Sequence, residues 1–147
     1  MEAKPITILL AEDDPDDQYL ISEALDENRL NVRLYIVSDG EELLDYLKQQ
    51  GKFQDREKWP MPALILLDLN MPRKDGREAL VEIKADPGLQ HIPIVALTTS
   101  QAEKDVATTY QNGVSGFITK PVSFSGLREV IKSVGEYWLN TARLPPE

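Results

Sequence analysis

Five consecutive apolar residues, Ala63-Leu64-Ile65-Leu66-Leu67, run without a break into an acid, Asp68. A continuous apolar run, as opposed to an alternating one, is the mark of a strand covered on both faces, and such strands belong to parallel sheets sandwiched between helices. Ile94-Val95-Ala96-Leu97 is a second run of the same kind. Two central strands of this type restrict the chain to an α/β layout, and its 147 residues suffice for one domain with its own core.

The rest of the chain fills in that layout. Ile6 to Ala11 reads as a first strand, after which Asp14 and Pro15 stand as helix N-cap and first helical residue. Leu20, Ile21, Ala24 and Leu25 line one helix face. Val32, Leu34 and Ile36 alternate with Arg33 and Tyr35, a half-exposed strand. Ser38 and Glu41 have capping-box spacing ahead of a helix striped by Leu43, Leu44 and Leu47. Gly51 to Pro62 reads as a long polar connection. Ala79, Leu80 and Ile83 mark a third helix, stopping before Pro87. Ser100 and Glu103 open a fourth, with Val106, Ala107 and Tyr110 on one face and Asn112-Gly113 as its stop. Gly116-Phe117-Ile118-Thr119 is the last strand. Leu127, Ile131, Val134 and Trp138 stripe the last helix. Five β-α units in succession predict a doubly wound, flavodoxin-like parallel sheet of order 2-1-3-4-5 with helices on both faces. The core is expected over about residues 6–138, with 139–147 as a C-terminal extension.

In such sheets a site lies beyond the carboxyl ends of the strands, where strand order reverses. The residues just past each strand therefore matter most. Glu12-Asp13-Asp14 comes after the first, Asp68 after the third, Thr98-Thr99-Ser100 after the fourth and Lys120-Pro121 after the fifth. On its own, Glu12-Asp13 would read as an acidic turn capping a helix, and Lys120 as a surface lysine before a proline. Together they predict three carboxylates, a hydroxyl and an ammonium on one rim. Two carboxylates ~4 Å apart repel by about 4 kcal/mol at an effective dielectric of ~20. Three require a cation, and an all-oxygen donor set suits Mg2+. Other chemistries are excluded. The chain has no cysteine and one histidine, His91, expected in a solvated loop, so thiolate and multi-histidine metal sites are ruled out. A formal charge of −9 without any basic run argues against nucleic acid and anionic membrane as partners. No signal peptide and no membrane-length apolar run is present, which places the chain in the cytoplasm as an expectation.

The chain resembles the receiver domains of two-component response regulators. The matching segments are Leu9-Leu10-Ala11-Glu12-Asp13-Asp14, Leu66-Leu67-Asp68-Leu69-Asn70-Met71-Pro72, Asp75-Gly76, Ala96-Leu97-Thr98 and Phe117-Ile118-Thr119-Lys120-Pro121. The resemblance implies that Asp68 is the phosphoacceptor. It implies that Asp13, Asp68 and the backbone carbonyl of Asn70 ligate Mg2+, with Glu12 acting mainly through bound water, and that Thr98 and Lys120 contact the phosphoryl oxygens. Thr98 and Phe117 would form the switch, and Lys120-Pro121 would be a cis peptide. Two departures stand out: Thr99 replaces the usual small residue after Thr98, and Phe117 has no hydroxyl. Asp16 and Asp17 read as helix N-terminal charges, not ligands.

Three features, namely the long insert Gly51 to Pro62 after the second helix, the phrase Leu67-Asp68-Leu69-Asn70-Met71-Pro72-Arg73, and the tail Tyr137-Trp138-Leu139 with Leu144-Pro145-Pro146, are similar to the stand-alone regulators paired with bacterial and cyanobacterial phytochrome histidine kinases. This implies a phosphoprotein of a two-component phosphorelay. It would take its phosphoryl group from a sensor histidine kinase, catalyse only its own phosphorylation and dephosphorylation, and carry no output domain. It would act on a downstream protein through the face made by the fourth helix, fifth strand and fifth helix. Val130, Val134, Tyr137 and Trp138 exceed one core stripe, so a homodimer through that face is expected. Two rivals remain. An Mg-dependent aspartyl-phosphate phosphohydrolase would need a general acid where Asn70 stands. A flavodoxin-type module would meet repulsion between its flavin phosphate and Glu12-Asp13-Asp14.

Overall fold

The computed structural model describes residues 5–27, 31–99, 103–141 and 144–145. Its elements, in chain order, are β1 (Ile6–Ala11), α1 (Pro15–Glu27), β2 (Val32–Val37), α2 (Gly40–Leu47), β3 (Leu64–Leu67), α3 (Gly76–Ala85), β4 (Ile94–Thr98), α4 (Glu103–Gln111), β5 (Gly116–Thr119) and α5 (Phe124–Gly135). A short 3-10 turn, Gly51–Phe53, comes after α2, and a π-helical turn, Glu136–Thr141, extends α5. The five strands pair in parallel in the order β2-β1-β3-β4-β5, as expected.

The apolar runs divide between the two faces by the two-residue period of a strand. Leu9, Ala11, Ile65, Leu67, Ile94 and Ala96 point to one side and pack with Leu43, Leu44 and Leu47 of α2 and Ala79, Leu80 and Ile83 of α3. Ile8, Leu10, Leu64, Leu66, Val95 and Leu97 point to the other and pack with Ile21, Ala24 and Leu25 of α1 and Leu127, Ile131 and Val134 of α5. Each fully buried Leu or Ile contributes roughly 1.5–3 kcal/mol. Two such layers pin the strand register, because a one-residue slip would exchange the layers wholesale.

Among the local signals, the apolar face read for α4 fails, since Ala107 and Tyr110 are exposed while Thr109 is buried, and three further corrections apply. Asp14 caps α1, accepting from the Asp16 N–H at 2.8 Å. The N-cap of α2 is Asp39, not Ser38: its side chain accepts from the Glu42 N–H at 2.8 Å, and Glu42 in return accepts from the Ser38 N–H. An aspartate caps as well as a serine, and the later start leaves the Gly40 N–H donating to the Lys74 carbonyl. Ser100 of the other expected capping box lies outside the described residues. The insert is the second correction, since it is more than a polar connection. Phe53 is buried, and Trp59 packs edge-on against Phe53 and Tyr46. Arg56 donates to the carbonyls of Tyr46, Leu47 and Trp59, meeting acceptors that the end of α2 leaves open. Third, the apolar excess of the last helix is largely consumed: Val134 is core, and Val130 and Trp138 pack against it. Tyr137 is exposed, as are Tyr110, Val122 and Phe124. His91 is exposed, as expected.

Candidate functional site

β1, β3, β4 and β5 all end on the same edge, so Glu12, Asp68, Thr98 and Lys120 meet there. Lys120 is the hub. Its Nζ donates to Glu12 Oε1, to Asp17 Oδ2 at 2.8 Å and to Asp68 Oδ2 at 3.2 Å. The Lys120 side chain is only 7% exposed, so its charge must be paired, and three carboxylates do so. Burial pulls its pKa down, but the hydrogen bonds to Asp17 and Glu12 and the charge of Asp68 outweigh this, and the net direction is up. Lys120 is a fixed cation.

Glu12 is the most enclosed of the acids. Its Oε2 accepts from the Asp14 N–H at 3.2 Å and its Oε1 from Lys120. Burial, opposed by the Lys120 hydrogen bond and reinforced by the charge of Asp68, pushes its carboxyl up to about 8. Asp68 is buried at the foot of β3, its Oδ1 accepting from the Asn70 N–H at 3.0 Å and its Oδ2 from Lys120. Asp13 is exposed on the open side. One oxygen from each of Glu12, Asp13 and Asp68 lies within 4.8 Å of the other two. At that spacing, each pair of charges among these three costs about 3–4 kcal/mol at an effective dielectric of ~20. A hard divalent cation relieves this crowding, and an all-oxygen, partly open donor set fits Mg2+ or Mn2+.

The loop after β3 is shaped by a close approach. A Cβ on Gly76 would stand 2.4 Å from the Asp68 carbonyl oxygen, so only glycine lets α3 start against the acid it supports. Asn70 bridges two expected site residues: its N–H bonds to Asp68 and its Nδ2 donates to Thr98 Oγ1 at 2.8 Å. Thr98 is fully buried, and Thr99 is exposed beside it. Phe117 is half-buried against the layer that holds α2 and α3.

The five-residue convergence expected from the strand ends is therefore present. Two expectations fail. The described residues contain no cis peptide, so Lys120–Pro121 is trans. The trans isomer is the lower in energy by about 0.5–1 kcal/mol for such bonds, and Lys120 reaches all three of its acids from it. Asp17 is not a bystander at the helix N-terminus but an ion-pair partner of Lys120. The residues that reasoning from sequence misses are Asp17, the side chain of Asn70, and Arg77, which donates to Asn70 Oδ1 at 3.2 Å. For Asp17 a signal exists. It stands four positions beyond Asp13, which puts it about one turn along the same helix entrance.

A doubly wound sheet with an acidic cluster at its switch point, an acid at the end of the central strand and a lysine at the end of the last one defines a class of signalling domain. The chain belongs to the response regulator receiver domain family, whose pattern matches residues 8–132. Within it, the chain is related to Response regulator Rcp1 of Synechocystis, at 42% identity over 141 residues, covering 96% of this chain and 94% of Rcp1. The crystal structure of the phosphorylated cyanobacterial phytochrome response regulator RcpA superposes with a TM-score of 0.91 at 44% identity, covering 97% of this chain and 99% of RcpA. The Mn2+-bound form of Rcp1 superposes with a TM-score of 0.90 at 42% identity, over 97% and 100% of the two chains. The receiver domain of the sensor histidine kinase PA1611 from Pseudomonas aeruginosa, with magnesium in its active-site cleft, gives 0.66 at 27% identity, over 88% and 96%. No helix among the described residues is long and apolar enough to cross a membrane.

Proposed function

We propose that this chain is a phosphoacceptor of a two-component pathway, in which Asp68 takes a phosphoryl group from a phosphohistidine of a phytochrome-type sensor histidine kinase. The observation that carries this reading is the pairing of Lys120 with Asp68 at 3.2 Å inside a cluster of carboxylate oxygens no more than 4.8 Å apart. An Asp68 oxygen forms the new bond to phosphorus. The phosphorus–nitrogen bond to the kinase imidazole breaks, and the imidazole leaves with the nitrogen lone pair. The transferring group carries its charge on oxygens that need fixed positive partners. Lys120 is one, already bonded to the accepting carboxylate. Glu12, Asp13, Asp68 and the Asn70 carbonyl would hold Mg2+, which when bound supplies the remaining positive charge.

The phosphohydrolase alternative draws no support from the site. Asn70 has no proton to give as an acid, and its amide is engaged by Thr98 and Arg77. The added charge on Asp68 is read out by Thr98, which moves toward the phosphoryl oxygens, and by Phe117, which turns into the space left behind. The face of α4, β5 and α5 is the proposed output surface and the proposed homodimer contact. Tyr110, Val122 and Phe124 supply its exposed apolar area.

The test is labelling by acetyl phosphate and by a partner kinase with Mg2+, then intact mass and light scattering. One phosphoryl group is expected, lost in Asp68→Asn and on removal of Mg2+, together with a dimer mass. Undiminished labelling of Asp68→Asn would move the acceptor elsewhere, and a monomer mass in both states would remove the dimer.

A further inference from the structure

One side chain that phosphoryl acceptance leaves without a role joins the site to α4. Arg77, the second residue of α3, forks onto Asp105 of α4, with Nε to Oδ1 at 2.7 Å and Nη2 to Oδ2 at 2.6 Å. Its remaining nitrogen, Nη1, turns back toward the loop after β3. It meets Asn70 Oδ1 at 3.2 Å, the Leu69 carbonyl at 3.4 Å and the Asp75 carboxylate at 3.2 Å. A guanidinium offers donors and no acceptor. It can therefore face only the oxygen end of the Asn70 amide. The nitrogen end must face the other way, where it meets Thr98 Oγ1 at 2.8 Å and Thr99 Oγ1 at 3.5 Å. Arg77 thereby decides which end of Asn70 Thr98 sees.

We propose that Arg77 is a positioning residue for phosphoryl acceptance: it orients Asn70 to detain Thr98 in its resting place, and Asp105 holds Arg77 there, so that the position of α4 sets how easily Thr98 is released. The inference rests on the reading of Asp68 as phosphoacceptor. Coupling of this kind runs both ways. A partner that draws Asp105 away from Arg77 eases phosphorylation, and phosphorylation loosens the Arg77–Asp105 fork. An arginine that merely ties α3 to α4 would do neither.

Titration of the full chain with beryllofluoride and Mg2+ separates these cases. Arg77→Met keeps the aliphatic stem and removes the donors. It is expected to bind beryllofluoride about tenfold more tightly, the equivalent of 1.4 kcal/mol and the size of one charge-assisted bond. Asp105→Asn should give roughly a threefold gain. In an Asn70→Ala background, Arg77→Met should add nothing. Should Arg77→Met fail to fold, Arg77→Lys serves, since an ammonium cannot span Asp105 and Asn70 together. Unchanged or weaker affinity in the variants, or an equal gain with and without Asn70, overturns the proposal while leaving the Asp68 reading intact. No beryllofluoride binding by the unaltered chain overturns both.

Discussion

Each end of the sheet holds a sequestered cation, and the two differ in what surrounds them. At the carboxyl ends of the strands, Lys120 sits among Glu12, Asp17 and Asp68. At the amino ends, Arg56 sits among main-chain carbonyls, those of Tyr46, Leu47 and Trp59. Carboxylates can lose or gain charge by binding a proton, a metal or a phosphoryl group. Carbonyls cannot. The two pKa directions differ accordingly: burial lowers that of Arg56, with only Tyr46 opposing, whereas the acids around Lys120 more than cancel its burial. The first cation belongs to a site whose charge the proposed phosphorylation would change, the second to a joint that should not change.

Replacing each cation tests that contrast. Lys120→Ala should slow labelling by acetyl phosphate about 100-fold or more, the usual cost of losing a preorganised charge partner. Measured at saturating Mg2+, a loss under about fivefold would deny Lys120 its role. Arg56→Ala should leave the labelling rate of the folded protein unchanged. Urea unfolding should show it less stable by about 2–3 kcal/mol, because three carbonyls lose their donor. A labelling defect in Arg56→Ala would blur the division between the two ends. The smallest expected effect lies beneath Arg56. Tyr46 donates to the Pro60 carbonyl at 2.7 Å, and burial, then the neighbouring Tyr35, raises its pKa. A folded state that holds this proton more tightly than the unfolded chain is favoured below the unfolded pKa of about 10 and loses that advantage as pH rises past it. Tyr46→Phe should cost about 1 kcal/mol at about pH 7 and show a shallower alkaline decline than the parent. An equally steep decline would assign the alkaline limb to other groups.

The carboxyl-end site is the more legible of the two in sequence, for a physical reason. Ala63 to Leu67 must be buried on both faces, so Asp68 is placed at a strand end by a signal that is entirely local. Glu12, Thr98 and Lys120 come after apolar runs in the same way. Pairings between side chains far apart in the chain leave no such trace. Arg77 and Asp105 are 28 positions apart, and nothing in either neighbourhood names the other. Asp17 escapes notice because a helix N-terminus already accounts for an acid there. The insert looks like a plain polar connection because Phe53, Arg56 and Trp59 each stand singly among polar and charged neighbours, which hide their burial. The capping residue of α2 shifts by one because Ser38 and Asp39 are chemically equivalent caps.

The bond between Lys120 and Glu12 closes a gap of 108 positions, and Asp68 joins it from the middle of the chain. No fragment released early, and no molecule with its last strand undocked, holds the full set of charges. Under the proposed function, competence for phosphoryl acceptance is therefore a report of completed assembly.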